Sequence, residues 1–212
     1  ILGLLGVFGV QTASFAAVIA AAGLAIGLAF QGTLSNFATG VMLLVFRPFK
    51  VGDLIAVSGQ TGFVEAIDLF TIEMKTPDNK KIIIANKNVF GANIENFTHH
   101  PIRRVDVPVG CDYSADIDET IKVLDKAASS VEGALKEPAH AIFLKELGGS
   151  SVDYQVRVWC NTEDYWAVYQ ATIRATKMHL DEAGIGIPFP QMDVHFDEPM
   201  PAASKGVAMP GK

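Results

Sequence analysis

The chain opens on an apolar run with no charged residue before Arg47. A bilayer core is crossed by about 20 apolar residues, so this run is roughly twice too long for one span. Gln31-Gly32 and Ser35-Asn36 interrupt it where a single span should end. The pattern predicts a membrane helix to about Phe30, a break at Gln31-Gly32 and a second helix from Thr33 to Phe46. Ser35 or Asn36 is placed to cap that second helix by accepting from backbone amides freed at the break. Leu34, Phe37, Val41, Leu44 and Val45 recur at helical spacing, which suits a helix lying along the membrane face or against its neighbours. Gly40 is a further weak point, since glycine costs about 1 kcal/mol relative to alanine inside a helix. Gln31, Gly32 and Gly40 are therefore candidate hinge positions, and Pro48 ends the helix.

Set on a helix at about 100° per residue, the first half of the run resolves into three faces. Ala13, Ala17, Ala20, Ala21, Leu24 and Leu28 share one, flanked by Ala16, Gly23 and Gly27 on one side and by Ser14, Val18 and Ala25 on the other. The back carries Phe15, Ile19, Ile26 and Phe30. Small residues let membrane helices approach closely. A two-helix dimer needs one small flank, whereas a ring of identical helices needs two. In a ring the face between the flanks points at the axis, and Leu24 and Leu28 are its only large groups. Two stacked leucine rings make a constriction that excludes water by dewetting. An alanine-rich helix buried in a larger bundle is the competing reading, but a bundle gives no reason to confine the large residues in this way.

Beyond Phe49 the period changes. Leu54–Val57, Thr61–Asp68, Phe70–Thr76 and Lys81–Ala85 read as short strands separated by turn residues, and so as a small barrel-like sheet. Asn86, Asn88, Asn93 and Asn96 mark a loop-rich exit. Arg103–Gly110 alternates as a strand, and Asp116–Val131 reads as a helix opened by the capping-box pattern Asp116-x-x-Glu119. Ala139–Leu147 and Ser151–Cys160 are strands, Asp164–Ala183 is a helix stopped by Gly184, and Gln191–Phe196 is a last strand. The order β-α-β-β-α-β is that of a ferredoxin-like α/β sandwich. Two prolines in Ile185–Pro190 hold the last strand away, so it is free to pair elsewhere. The predicted domains are the membrane segment 1–49, a β domain 50–98, an α/β domain 99–186, a C-terminal strand 187–197 and an unstructured tail 198–212.

A net charge of -6 argues against a nucleic-acid surface. Cys111 and Cys160 lack metal spacing and suit reduced, buried thiols. Asp112, Asp116 and Asp118 are explained by helix-start charge. His99-His100 would point oppositely on a strand, and Arg103-Arg104 is too short for a lipid-binding cluster. No phosphate loop, nucleophile elbow or dinucleotide fingerprint is present, so neither enzyme, cofactor nor metal is expected. Arg47 and Lys50 come directly after the apolar run, and the positive-inside rule places the residues beyond Phe49 in the cytoplasm. A start at Ile1 inside an apolar stretch suggests the C-terminal part of a longer membrane protein.

The segments GVQTAS, AAGLAIGLAFQGTLSN, FRPFKVGD, LGGSSVDYQVRVW and PFPQMDV together resemble the small-conductance mechanosensitive channel (MscS) family, nearly to Phe196. The resemblance implies a homoheptamer in the bacterial inner membrane, opened by membrane tension and releasing ions and small osmolytes on hypo-osmotic shock, with membrane lipid as partner. It implies a pore-lining last transmembrane helix, a small Sm-like β domain, a ferredoxin-like α/β domain and a C-terminal strand that joins a common barrel. Carried onto this chain, the gate is Leu24 and Leu28, the helix-packing residues are Ala17, Ala20, Ala21, Gly23, Ala25 and Gly27, and the kinks are Gly32 and Gly40. In the family the counterpart of Asn36 contacts a Pro-Asn-Gly turn during inactivation; here that turn reads Ala85-Asn86-Lys87. An oligomeric channel gated by a cytoplasmic ligand and a non-conducting membrane scaffold are the alternatives.

Overall fold

The apolar run forms one unbroken helix, α1 (Thr12–Phe46), in the computed structural model, which describes residues 12–195. The break expected at Gln31-Gly32 is absent. A single glycine costs only about 1 kcal/mol in a helix, and nothing lies within 4 Å of a Cβ built at Gly32 to force a bend. No amides are freed there, so the expected capping does not occur: the Ser35 and Asn36 carbonyls accept from Thr39 Oγ1 at 2.9 and 3.0 Å. Arg47 closes α1 in the left-handed region (φ 46°), a conformation that a non-glycine residue seldom adopts, and Pro48 comes next.

The first compact unit, Ile1–Pro101, continues with β1 (Leu54–Val57), β2 (Gln60–Ile67), β3 (Thr71–Lys75) and β4 (Lys81–Ala85). The Asn-rich exit contains two elements that its sequence did not announce, a short helix α2 (Asn86–Phe90) and a strand β5 (Ile94–Asn96). The strands form one antiparallel sheet in the order β4-β3-β2-β1-β5. Alternate residues Ile55, Val57, Ile72, Met74 and Ile84 fill its core, with Leu43 and Phe49 from the end of α1 and its exit. Asp53 ties that exit to β5: its carboxylate accepts from Lys50 N at 2.9 Å and Asn96 Nδ2 at 2.7 Å. Burial alone would raise the Asp53 pKa, but these bonds and one from Thr98 outweigh it and hold the carboxyl below its ordinary value.

The second unit begins with β6 (Ile102–Cys111), followed by α3 (Ile117–Ser129), β7 (Ala141–Leu147), β8 (Val152–Asn161) and α4 (Tyr165–Glu182). Asp116 caps α3 as expected, accepting from Glu119 N at 2.9 Å. The antiparallel sheet runs β6-β8-β7, three of the four positions of a ferredoxin-like sheet. Within the single chain, residues 191–195 form no strand with the β6-β8-β7 sheet, in keeping with a last strand held away to pair elsewhere. Pro188 and Pro190 lack the N–H that a ladder requires. The chain is held instead by Asp112 N to Gly186 O at 3.0 Å and Gln191 N to Ser150 Oγ at 3.1 Å. Phe196 and the tail 198–212 lie outside the described residues.

Val105, Val107, Val156 and Val158 point to one core with Leu124, Val168 and Leu180 of the two helices. Both cysteines lie in it. Burial, helped by Asp112 and Asp153, pushes the Cys111 thiol up to about 11, and burial also raises Cys160. Neither thiol should therefore react with a thiolate-selective reagent at pH 8 while the protein is folded, and both should react once it is denatured. Prompt labelling of the folded protein would show this core to be open.

Candidate pore helix and its seat

The two halves of α1 have different surroundings. Residues 13–35 are exposed throughout, including Leu24 (66% exposed) and Leu28 (62%) of the expected gate. Ala17, Ala20, Ala21, Gly23, Ala25 and Gly27 are likewise uncovered, and a Cβ built at Gly23 or Gly27 meets nothing within 4 Å. The helix is long and apolar enough to cross a membrane over Ala13–Phe46, and none of its most apolar stretch is buried. Such a surface costs about 25 cal/mol per Å² when left in water. The described chain itself offers these residues no partner.

The second half is seated on the sheet of its own unit. Gly40 is buried, and a Cβ at that position would fall 2.5 Å from Asn86 Nδ2 and 2.8 Å from the Leu69 carbonyl carbon, with the Leu69 oxygen closer still. Backbone thus meets backbone, and only glycine fits. Its use in this conformation is close approach. One turn earlier, Asn36 Oδ1 accepts from Lys87 N at 3.1 Å. The first turn of α2 has no side-chain cap from its own Ala85, so Asn36 supplies from another helix the acceptor that a local Ser or Asp would ordinarily provide. Phe37 and Phe70 close the other side, with ring centroids 6.1 Å apart.

Asn86 organises the receiving side. Its backbone N donates to Phe70 O at 2.9 Å and its Nδ2 to Asp68 O at 2.8 Å, which fixes the turn that presents the Leu69 carbonyl to Gly40. Asn86 is fully buried and its Oδ1 has no partner. The structure therefore brings Asn36, Gly40, Asn86 and Lys87 together although the turn lacks proline and glycine. Leu69 was missed from sequence because its contribution is a main-chain carbonyl, which no residue pattern marks. Gln31 and Gly32 remain interior positions of a continuous exposed helix.

The seat gives a measurable cap. Asn36→Leu should destabilise the docking of α1 on its sheet by about 1 kcal/mol, read as faster hydrogen exchange at the Lys87 amide. Asn36→Asp keeps the acceptor and should restore protection. Unchanged exchange in Asn36→Leu would show that the bond contributes nothing.

No group of three or more metal-ligating side chains occurs among the described residues. Comparison with known proteins agrees with a channel component. Residues 32–99 match the family described as mechanosensitive ion channel, beta-domain, and residues 105–187 match mechanosensitive ion channel MscS, C-terminal. A small-conductance mechanosensitive channel of Edwardsiella ictaluri is 45% identical over 87% of this chain, which spans 65% of that relative's length, just under two thirds. One of Helicobacter pylori is 33% identical over 90% of this chain and 70% of its own. The crystal structure of Helicobacter pylori MscS in its closed state superposes with a TM-score of 0.87 at 32% identity, covering 93% of this chain and 79% of that one. Two consecutive family domains, and relatives matched over most of their length, place the chain in the MscS family of mechanosensitive ion channels.

Proposed function

We propose that this chain forms the pore and the adjoining domains of a channel opened by membrane tension, which releases ions and small solutes on hypo-osmotic shock. The observation that carries the reading is the uncovered first half of α1, with small residues on two flanks and Leu24 and Leu28 between them. Such a helix is satisfied by lipid on its back, where Phe15, Ile19, Ile26 and Phe30 lie, and by identical helices on its flanks. The assembly is a homo-oligomer, a heptamer by family, in the bacterial inner membrane with residues beyond Phe49 in the cytoplasm.

In the closed state Leu24 and Leu28 form two dry rings. Tension favours the state of larger membrane area, and it acts only through that difference between states. Sliding of Gly23 and Gly27 past Ala20 and Ala25 of the neighbour widens and wets the rings. Gln31 and Gly32, both exposed among the described residues and with nothing within 4 Å of a Cβ built at Gly32, are the soft point at which the pore half moves relative to the seated half. Release or remaking of the Asn36–Lys87 bond is the step at which the seat acts on the pore.

Single-channel recording from the reconstituted protein tests this. Stepwise suction without added ligand should open discrete conductances. Opening at fixed tension only when a soluble ligand is added would replace tension by a ligand as the stimulus, and a bilayer that stays silent would leave a scaffold.

A further inference from the structure

A cavity of about 390 Å³ opens between β6 and α4, walled by Val107, Pro108, Tyr169, Ile173, Thr176 and Ile187. Thr176 is 4% exposed, and its Oγ1 has no hydrogen-bond partner. The other buried threonines of the described residues return their hydroxyls to the carbonyl four residues back. Thr120 donates to Asp116 O and Thr172 to Val168 O, both at 2.7 Å. Thr176 lies one turn beyond Thr172 on the same helix and does not do so. Natural proteins seldom keep a buried polar atom that nothing pairs with. A water there would need two to four polar partners, and the valine, proline and isoleucine walls supply none. The charged residue of the lining, Lys177, is already paired with Asp181.

We infer that this cavity binds a small, neutral, largely apolar molecule with one hydroxyl, which pairs with Thr176 Oγ1 while the carbon skeleton packs on Tyr169, Ile173 and Ile187. The volume falls in the range of about 300–1,000 Å³ that small-molecule sites occupy. Neutrality follows from the charges: an anion would have to take Lys177 from Asp181, and no carboxylate lines the cavity to receive a cation. A peptide strand is a poor occupant. Although β6 is an edge of its sheet, Pro108 interrupts the row of N–H groups that an added strand requires. Ile173 and Ile187, each 43% exposed, form the mouth. A bound molecule therefore bridges β6, α4 and the segment leaving α4, whose Gly186 O already accepts from Asp112 N. Occupancy ties that segment to the sheet.

Methyl NMR of the full chain in lipid nanodiscs, labelled at isoleucine, reads the site at Ile173 and Ile187. Cyclohexanol should shift both signals saturably. Thr176→Val keeps the side-chain shape and removes the hydroxyl, so it should weaken cyclohexanol binding about fivefold and leave methylcyclohexane binding no weaker. Comparing variants at one probe cancels the share of probe taken up by lipid. Ile173→Trp places a larger side chain at a half-exposed helix position and should fill the cavity, abolishing the shift at Ile187. No saturable shift, equal cyclohexanol affinity in the parent and Thr176→Val, or binding that survives Ile173→Trp would each overturn the site. Magnetisation transfer to the two methyls from a second copy, in mixed-labelled protein, would overturn it as well, because the neighbouring chain would then fill the cavity. The cavity lies within the second unit, so none of these results bears on the reading of α1.

Discussion

Gly40→Val is expected to unseat the second half of α1, with a larger structural effect than a change at any other glycine of that helix. Even the first added carbon falls 2.5 Å from Asn86 Nδ2 and 2.8 Å from the Leu69 carbonyl carbon, distances that real Cβ contacts do not show. The opposing atoms are main chain and a buried amide, so neither can swing aside. Overpacking of this kind costs about 1–3 kcal/mol. Moving the helix away would also stretch the Asn36–Lys87 bond and open the contacts of Leu43 in the core of the sheet. The expected readout is a lower denaturant midpoint and lost exchange protection at Lys87. Gly32→Ala is the contrasting case in the same helix. Nothing approaches that position, so the exchange should be neutral or stabilising by up to about 1 kcal/mol. Equal losses at the two glycines would remove the distinction between a close approach and an ordinary helical residue.

Leu28→Ser is expected to have the largest functional effect: opening at lower tension than the parent in patch recordings. A buried leucine is worth about 1.5–3 kcal/mol over an exposed one, and in a closed ring every chain contributes one. A hydroxyl in its place hydrogen-bonds water and removes much of the dewetting that keeps the constriction shut. Leu24 stands four residues earlier, about 6 Å along the axis, so a second dry ring should remain and the channel should still close at rest. Ile19 lies half a turn away from Leu28 on the helix wheel. Ile19→Ser should not lower the threshold, because that face meets lipid and not the pore. An unchanged threshold in Leu28→Ser would take Leu28 out of the gate, and an equal drop in both variants would show a general loosening of the helix.

The elements of β1–β4, β6, β8, α3 and α4 were legible because each rests on a local signal. Val152, Tyr154, Val156 and Val158 alternate and are all buried, and Asp116 caps the helix that its spacing to Glu119 announced. Two elements were illegible. Strand β5 is three residues long and exists through pairing with β1, as in Ala56 against Glu95, and α2 receives its cap from Asn36, 51 residues away in sequence. Residues 191–195 alternate as a strand does, and within one chain they have no ladder partner. A strand is a statement about two segments, and alternation describes only one.

For α1, the sequence by itself determined a long uncharged helix, the disposition of small residues and leucines around it, and the cations at its end, because composition and angular period are local properties. The tertiary structure alone decided that Gln31-Gly32 does not break the helix, that Gly40 is small to admit the Leu69 carbonyl, and that Asn36 reaches Lys87 although the turn has lost its proline and glycine. The physical reason is that a backbone carbonyl has no residue identity. Which carbonyl faces a glycine, and which amide faces an asparagine, depends on how the whole sheet folds back on the helix.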